Sequence, residues 1–159
     1  MSPFEYRLEK VLTYRKNKKE EQLQRVIKAQ QEVARIQGEI DKNKSTIMTL
    51  RQNMPNAHHT MLESYDAYIK HIYKVIDQLE EEKMRAIRKL EEEKRILAEL
   101  EKSIKALEKH REKKLEEWEE EQRQIEMKIL DEVGAQKHFA KMLEKKEDEA
   151  LEELMEEDY

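Results

Sequence analysis

The sequence predicts an all-α fold: two long helices in an antiparallel coiled-coil hairpin, the second helix longer and carrying an overhang. Three observations predict it. Charged residues make up 43% of the 159 residues, with a net charge of −5, where an ordinary globular domain has about 25% charged. Ala, Glu, Lys, Leu and Arg form more than half of the chain, while Gly and Pro number 2 each. Such a composition marks long helices, because sheets and pocketed enzymes need turns and turns need Gly, Pro and Asn. The apolar residues follow a seven-residue repeat, with one interruption at Pro55.

The first helix is expected over about residues 4–54. One register runs through Leu8, Leu12, Val26, Ala29, Val33, Ile36, Ile40, Ile47, Leu50 and Met54. Between Val26 and Met54 every a or d position is apolar except Asn43. High charge with few apolar residues also fits a disordered chain, and this periodicity excludes disorder for the stretch. Pro55 then ends the helix, because it lacks an amide hydrogen and its ring clashes with the preceding turn. The turn is expected at 55–59. Thr60 and Glu63 match a capping box that would start the second helix.

The second helix is expected over about 60–143. Its register runs through Ile69, Ile72, Ile76, Leu79, Ala86, Leu90, Leu97, Leu100, Ile104 and Leu107, then Trp118, Ile125, Ala135, Phe139 and Met142. A short connection makes the two helices antiparallel neighbours. With the turn near Ala57, facing residue numbers add to about 115. Leu8 then meets Leu107, and Leu12 meets Leu100 and Ile104. Lys19 and Gln22 fall opposite Glu93, and Lys83 falls opposite Glu32. A compensated charge in a seam sets register, where an unpaired one is costly.

Helix one is too short to cover the second helix beyond about Arg111. The overhang still carries Trp118, Ile125, Ile129, Leu130, Val133, Phe139, Met142 and Leu143. An exposed apolar stripe of this kind implies a partner, either another copy or a different protein. Gly134 interrupts it at a cost of about 1 kcal/mol of helix. The organisation expected is thus a hairpin over 1–143 and an acidic tail over 144–159, frayed or disordered. The first 30 residues lean basic instead.

Chemistry-bearing constellations are few. The five histidines lack the i, i+4 spacing of a metal site, and His58 and His59 are adjacent and point apart, so solvated histidines are expected and no metal. Glu80–Lys83 and Glu91–Lys94 read as solvated faces with i, i+4 support, not as acid/base pairs, because acid/base work needs a desolvated cleft. No phosphate-cradling glycine loop occurs. With no cysteine in the chain there is no disulfide or thiol chemistry. The expectation is a protein that is not an enzyme and binds no cofactor. The basic N-terminal stretch lacks interleaved aromatics, so nucleic acid is not expected. No run approaches the ~18 apolar residues of a membrane span, and Met1–Glu5 lacks the apolar core of a secretory signal, so a cytoplasmic protein without membrane insertion is expected. Tyr65, Tyr68 and Tyr73 lie just past the turn, either as flank packing or as an aromatic contact patch.

Three segments resemble the FliJ family, the small soluble component of the bacterial flagellar type III export apparatus. They are the opening Phe4-x-x-x-Leu8-x-x-Val11-Leu12-x-x-Arg15, the block Tyr65-x-x-Tyr68-Ile69-x-x-Ile72-x-x-x-Ile76, and Leu130-Asp131-Glu132 followed by Phe139. Gly134 stands where the resemblance leads one to expect Ala. The resemblance implies a two-helix coiled coil similar in shape to the central stalk of rotary ATPases. It implies binding to the hexameric export ATPase FliI and promotion of its ring assembly. It implies contact with the cytoplasmic part of the export gate FlhA and with export chaperones, at the inner-membrane face of the flagellar base. The ATPase-facing end would map to Phe4, Leu8, Arg15, Trp118, Leu130, Asp131, Glu132 and Phe139. The gate-facing side would map to Tyr68, Ile72, Val75 and Leu79.

Two other readings compete. One is a structural coiled-coil spacer that self-associates through the overhang. The other is a prefoldin-like holdase, which the short Met54–Thr60 connection disfavours because it has no room for β-hairpins.

Overall fold

The computed structural model describes residues 2–157. The element order is α1 (Glu9–Asn53), a 3-10 turn (Met54–Asn56) and α2 (His59–Glu157). The described residues contain no strand, and the two helices form an all-α antiparallel hairpin. Two compact units result. One is the hairpin Leu8–Glu108; the other joins the residues up to Arg7 with the chain from Lys109 onward. The heptad pattern alone predicts a single hairpin through residue 143.

The hairpin seam is built from aliphatic side chains, mostly isoleucine, at heptad spacing. Ile36, Ile40, Ile47, Ile69, Ile72, Ile76 and Leu79 are buried together, with Leu50, Met54, Val75 and Ala86 packed at the edge. Towards the other end of the hairpin Leu12, Val26, Ala29 and Ile104 are also buried. Gln22 is the one buried polar side chain of the hairpin, and its amide donates to the carbonyl and to the carboxylate of Glu93. That pair lies where the facing rule places it. A buried amide with both its hydrogens used fixes register at little cost, because neither partner is left unsatisfied. Arg15 donates to Ser103, and Lys16 lies 3.5 Å from Glu108.

The other seam charge differs from expectation. The cation of α2 that acts on Glu32 is Lys89, while Lys83 is half-buried. Glu32 is held mainly by its own helix: Arg35 donates two bonds to it, at 2.7 and 3.1 Å. The fork of a guanidinium matches a carboxylate three residues back, so the local pair outcompetes the reach across the seam. The same geometry recurs at Arg95 with Glu92 and Glu99. In both cases the hydrogen bond between the two, then the partner's opposite charge, lowers the glutamate pKa and raises the arginine's. A lowered carboxylate pKa adds stability that is present above the ordinary carboxylate range and fades as pH falls through the lowered value. Asn43, the polar slot in the first register, bonds the Glu39 carbonyl of its own helix at 2.8 Å.

Helix one begins at Glu9, not near residue 4. The aromatic spacing explains the difference. Phe4 and Tyr6 are two apart, and in a helix they would point about 200° apart, whereas in an extended segment residues two apart lie on one face. Residues 2–6 take no helical turn, and both rings reach α2.

The connection also departs from the capping box. Pro55 sits in the first turn of the 3-10 segment, and Ala57 is extended (φ −82, ψ 148). Helix α2 starts at His59, one residue early, which makes Thr60 the second helical residue. Its amide is one of the donors a helix start leaves without a partner. The His58 ring accepts it: Thr60 N–H donates to Nδ1 at 3.3 Å, and the Thr60 hydroxyl lies 2.7 Å from the same nitrogen. His58 therefore does the work expected of Thr60 and Glu63. His58→Ala is expected to destabilise the hairpin by about 0.5–2 kcal/mol, and His58→Asn by much less, because Asn restores an acceptor. Thermal unfolding followed at 222 nm reads the difference. Equal melting of all three chains would remove the cap.

The acidic tail expected to fray or lack order is helical in its described part, since α2 runs to Glu157. The physical reason lies in its apolar spacing. Ala150, Leu151 and Leu154 continue the i, i+3, i+4 pattern through the acids, so the tail has helix periodicity as well as charge. Asp158 and Tyr159 lie outside the described residues.

Candidate partner interface

The N-terminal arm packs on the first turns of the second unit's helix. Tyr6 is buried, its ring 5.5 Å from that of His110 and its hydroxyl 2.6 Å from Nδ1. Phe4 lies between two side chains of α2: the Trp118 ring with centroids 6.0 Å apart and tilted by 55°, and the Arg111 guanidinium 5.6 Å from its centroid. Tilted aromatic pairs and cation–π contacts of this kind contribute about 0.5–1.5 kcal/mol each. Along this stretch Arg111, Leu115, Trp118 and Gln122 are half-buried, and Phe4 contacts Arg111 and Trp118 among them.

That burial pattern corrects the heptad. A strict continuation from Arg111 passes through Lys114 and Glu121, yet Leu115 and Gln122 are the half-buried positions. From Arg111 to Gln122 the half-buried positions are separated by four, three and four residues, 11 residues in three steps, a period near 3.7. A 3.6-residue stripe runs straight along a helix, where a 3.5-residue one winds around it. From Gln122 the new stripe continues through Ile125, Ile129, Val133, Ala140, Leu143, Leu151 and Leu154.

Every described residue beyond Gln122 is exposed. Leu130 is 69% and Phe139 64% exposed, and they lie on opposite flanks of the stripe. Glu132 falls beside it and Asp131 on the far side, so of the expected ATPase-facing residues only Phe4 and Trp118 touch each other here. Leu8 and Arg15 belong to the hairpin unit, both half-buried. Gly134 carries no left-handed backbone and lies within the continuous helix, and a Cβ there would meet nothing within 4 Å. Gly134→Ala is expected to raise helix stability around it by about 1 kcal/mol, read as slower amide exchange over 125–145. Unchanged exchange would mean that something other than glycine sets the local stability.

The gate-side residues do not form one exposed patch. Ile72 and Leu79 are 3% and 8% exposed, both in the hairpin core, and Val75 packs at its edge. A spacing of seven puts Ile72 and Leu79 on one face, and that is the face against α1. Tyr68 alone is open, at 51%. Tyr73 is also exposed, about 140° around the helix from Tyr68; it takes a 2.7 Å bond from Arg51, whose guanidinium lies 5.7 Å from the ring centroid. Sequence reasoning missed the shallow groove beside Tyr73, lined by Lys44, Ile47, Met48, Arg51 and Gln52. The signal was present in exposed Met48, off the heptad seam and four residues from Lys44.

Among the described residues no cluster of three His, Asp or Glu could hold a metal ion. No described helix is long and apolar enough to cross a membrane. A family model described as "Flagellar FliJ protein" matches residues 4–143. The chain belongs to the FliJ family. A FliJ-family chain is a component of flagellar type III export, and the match spans the arm, the hairpin and the overhang through Leu143. Residues 144–157, with Leu151 and Leu154, lie beyond it. Comparison with curated proteins and with solved structures gave no match.

Proposed function

We propose that this FliJ-family chain is a non-enzymatic stalk and adaptor of the export apparatus. It binds the hexameric export ATPase FliI, promotes its ring assembly, and couples it to the export gate FlhA; it also engages export chaperones. It works in the cytoplasm, peripheral to the inner membrane at the flagellar base. The observation that carries the reading is the exposed apolar stripe of α2 after Trp118, inside the family match. Such a stripe on a charged helix is stable in water but costs free energy until a partner shields it.

Family membership selects the export machinery as the source of that partner. The clasp of Phe4 on Trp118 fixes where the uncovered stripe begins. On the gate side the open residues are Tyr68 and Tyr73, while Ile72, Val75 and Leu79 hold the helix that presents them. Hydrolysis of ATP is the ATPase's own chemistry; this chain contributes position and stiffness. The test adds purified chain to its cognate export ATPase and measures phosphate release and hexamer formation. Both should rise with added protein up to a saturating ratio. No change in either, together with no binding, overturns the reading.

A further inference from the structure

We infer that the end of α2, residues 137–157, is a self-recognition segment that pairs antiparallel with the same segment of a second copy. The inference stands apart from the ATPase reading and rests on two patterns in one exposed helix.

The first is apolar. Around Glu147 the stripe is palindromic: Ala140 and Leu143 lie seven and four residues before it, Leu151 and Leu154 four and seven after. Two copies crossing antiparallel at Glu147 stack Leu143 on Leu151 and Ala140 on Leu154, and then repeat both layers on the other side. From Ala140 to Leu154 the spacing averages 3.5 residues, so the two helices would wind gently around one another in a left-handed sense along this ~32 Å segment.

The second is electrostatic, and it chooses the occupant. Residues 137–146 hold Lys137, Lys141, Lys145 and Lys146 against the single acid Glu144. Residues 148–157 hold six acids and no Lys or Arg. Among the described residues none of these four lysines forms an ion pair within its own chain. Crossing at Glu147 sets each basic block beside the partner's acidic block, twice. Parallel pairing sets acid beside acid. A longer antiparallel overlap over 119–157 sets the acidic block beside 119–128, where four acids outnumber Arg123 and Lys128. Like charges in these registers repel, so the short crossing is selected. Its one flaw is at the axis, where two Glu147 carboxylates meet.

Sedimentation equilibrium of the full chain tests this. Mass is expected to climb from 19.3 kDa towards twice that value with concentration, and less steeply at high salt, because the pairing charges are exposed. Glu147→Leu should tighten association at least about tenfold, by removing the repulsion and adding an apolar layer. A chain with the four lysines changed to Glu, and one with Glu149, Glu152, Glu153 and Glu156 changed to Lys, should each stay monomeric and associate when mixed. The chain has no cysteine, so a thiol introduced by Glu147→Cys should link to its copy through a short bis-maleimide, while one at Lys137 should not. Wild type and Glu147→Leu both monomeric up to about 1 mM, or association that ignores the charge exchange, overturns the proposal. Circular dichroism confirms that each variant keeps its helix.

Discussion

Ile40→Ala is expected to destabilise the hairpin by about 2–5 kcal/mol, the cost of removing a buried aliphatic side chain plus the cavity left behind. Among the described residues Ile40 is the one large side chain with no residual exposure, in the middle of the cluster from Ile36 to Leu79. A two-helix seam is one layer deep, so no second shell of side chains can collapse into the gap, which puts the cost towards the upper end. Met48→Ala, on the same helix but 63% exposed, should change stability by less than about 0.5 kcal/mol. Ile40→Val should fall between, at about 0.5–1.5 kcal/mol. Thermal or urea unfolding at 222 nm separates the three. Equal midpoints for Ile40→Ala and Met48→Ala would mean that α1 does not turn this face to α2.

What the sequence made legible follows from which forces are periodic. The seam was readable because burial in a coiled coil is a repeat: Val26, Ile36, Ile40, Ile47, Ile69, Ile72 and Ile76 all lie on the expected register. Pro55 was readable because its effect on a helix is steric and local. Pairing of Gln22 with Glu93 was readable because geometry fixes what faces a given position once the turn is placed.

Three features were not. Phe4 and Tyr6 were assigned to helix because the heptad register begins nearby, and their extended form depends on rings that only α2 provides. The cap was assigned to Thr60 because a motif was present, while a neighbouring imidazole took the same amide. Lys89 in place of Lys83 beside Glu32 reflects long side chains that reach up or down a turn, which residue numbers alone do not reveal. The gate-side assignment shows a different limit. Ile72 and Leu79 were drawn from a resemblance, and in this fold their spacing makes them core.

The second large effect concerns the overhang. Ile125→Asp combined with Ile129→Asp is expected to weaken binding to the export ATPase by at least about a hundredfold and to abolish its activation, while leaving the hairpin's melting unchanged. Each isoleucine is half exposed or more, so it contributes little to the folded chain alone. Each would contribute about 1.5–3 kcal/mol once a partner covers it, and a buried aspartate adds a desolvation penalty. The sum exceeds the roughly 2.7 kcal/mol that a hundredfold change needs. The helix itself survives, since neither residue is Gly or Pro and both substitutions face water before binding. Leu130→Asp serves as a flank control: among the described residues Leu130 is the most exposed large apolar one, about 100° off the stripe from Ile129, and the change should cost tenfold or less if the stripe itself is what the ring covers. Activation that survives the double substitution would separate the apolar stripe from the export ATPase and leave the arm around Phe4 and Trp118 as the surface to test.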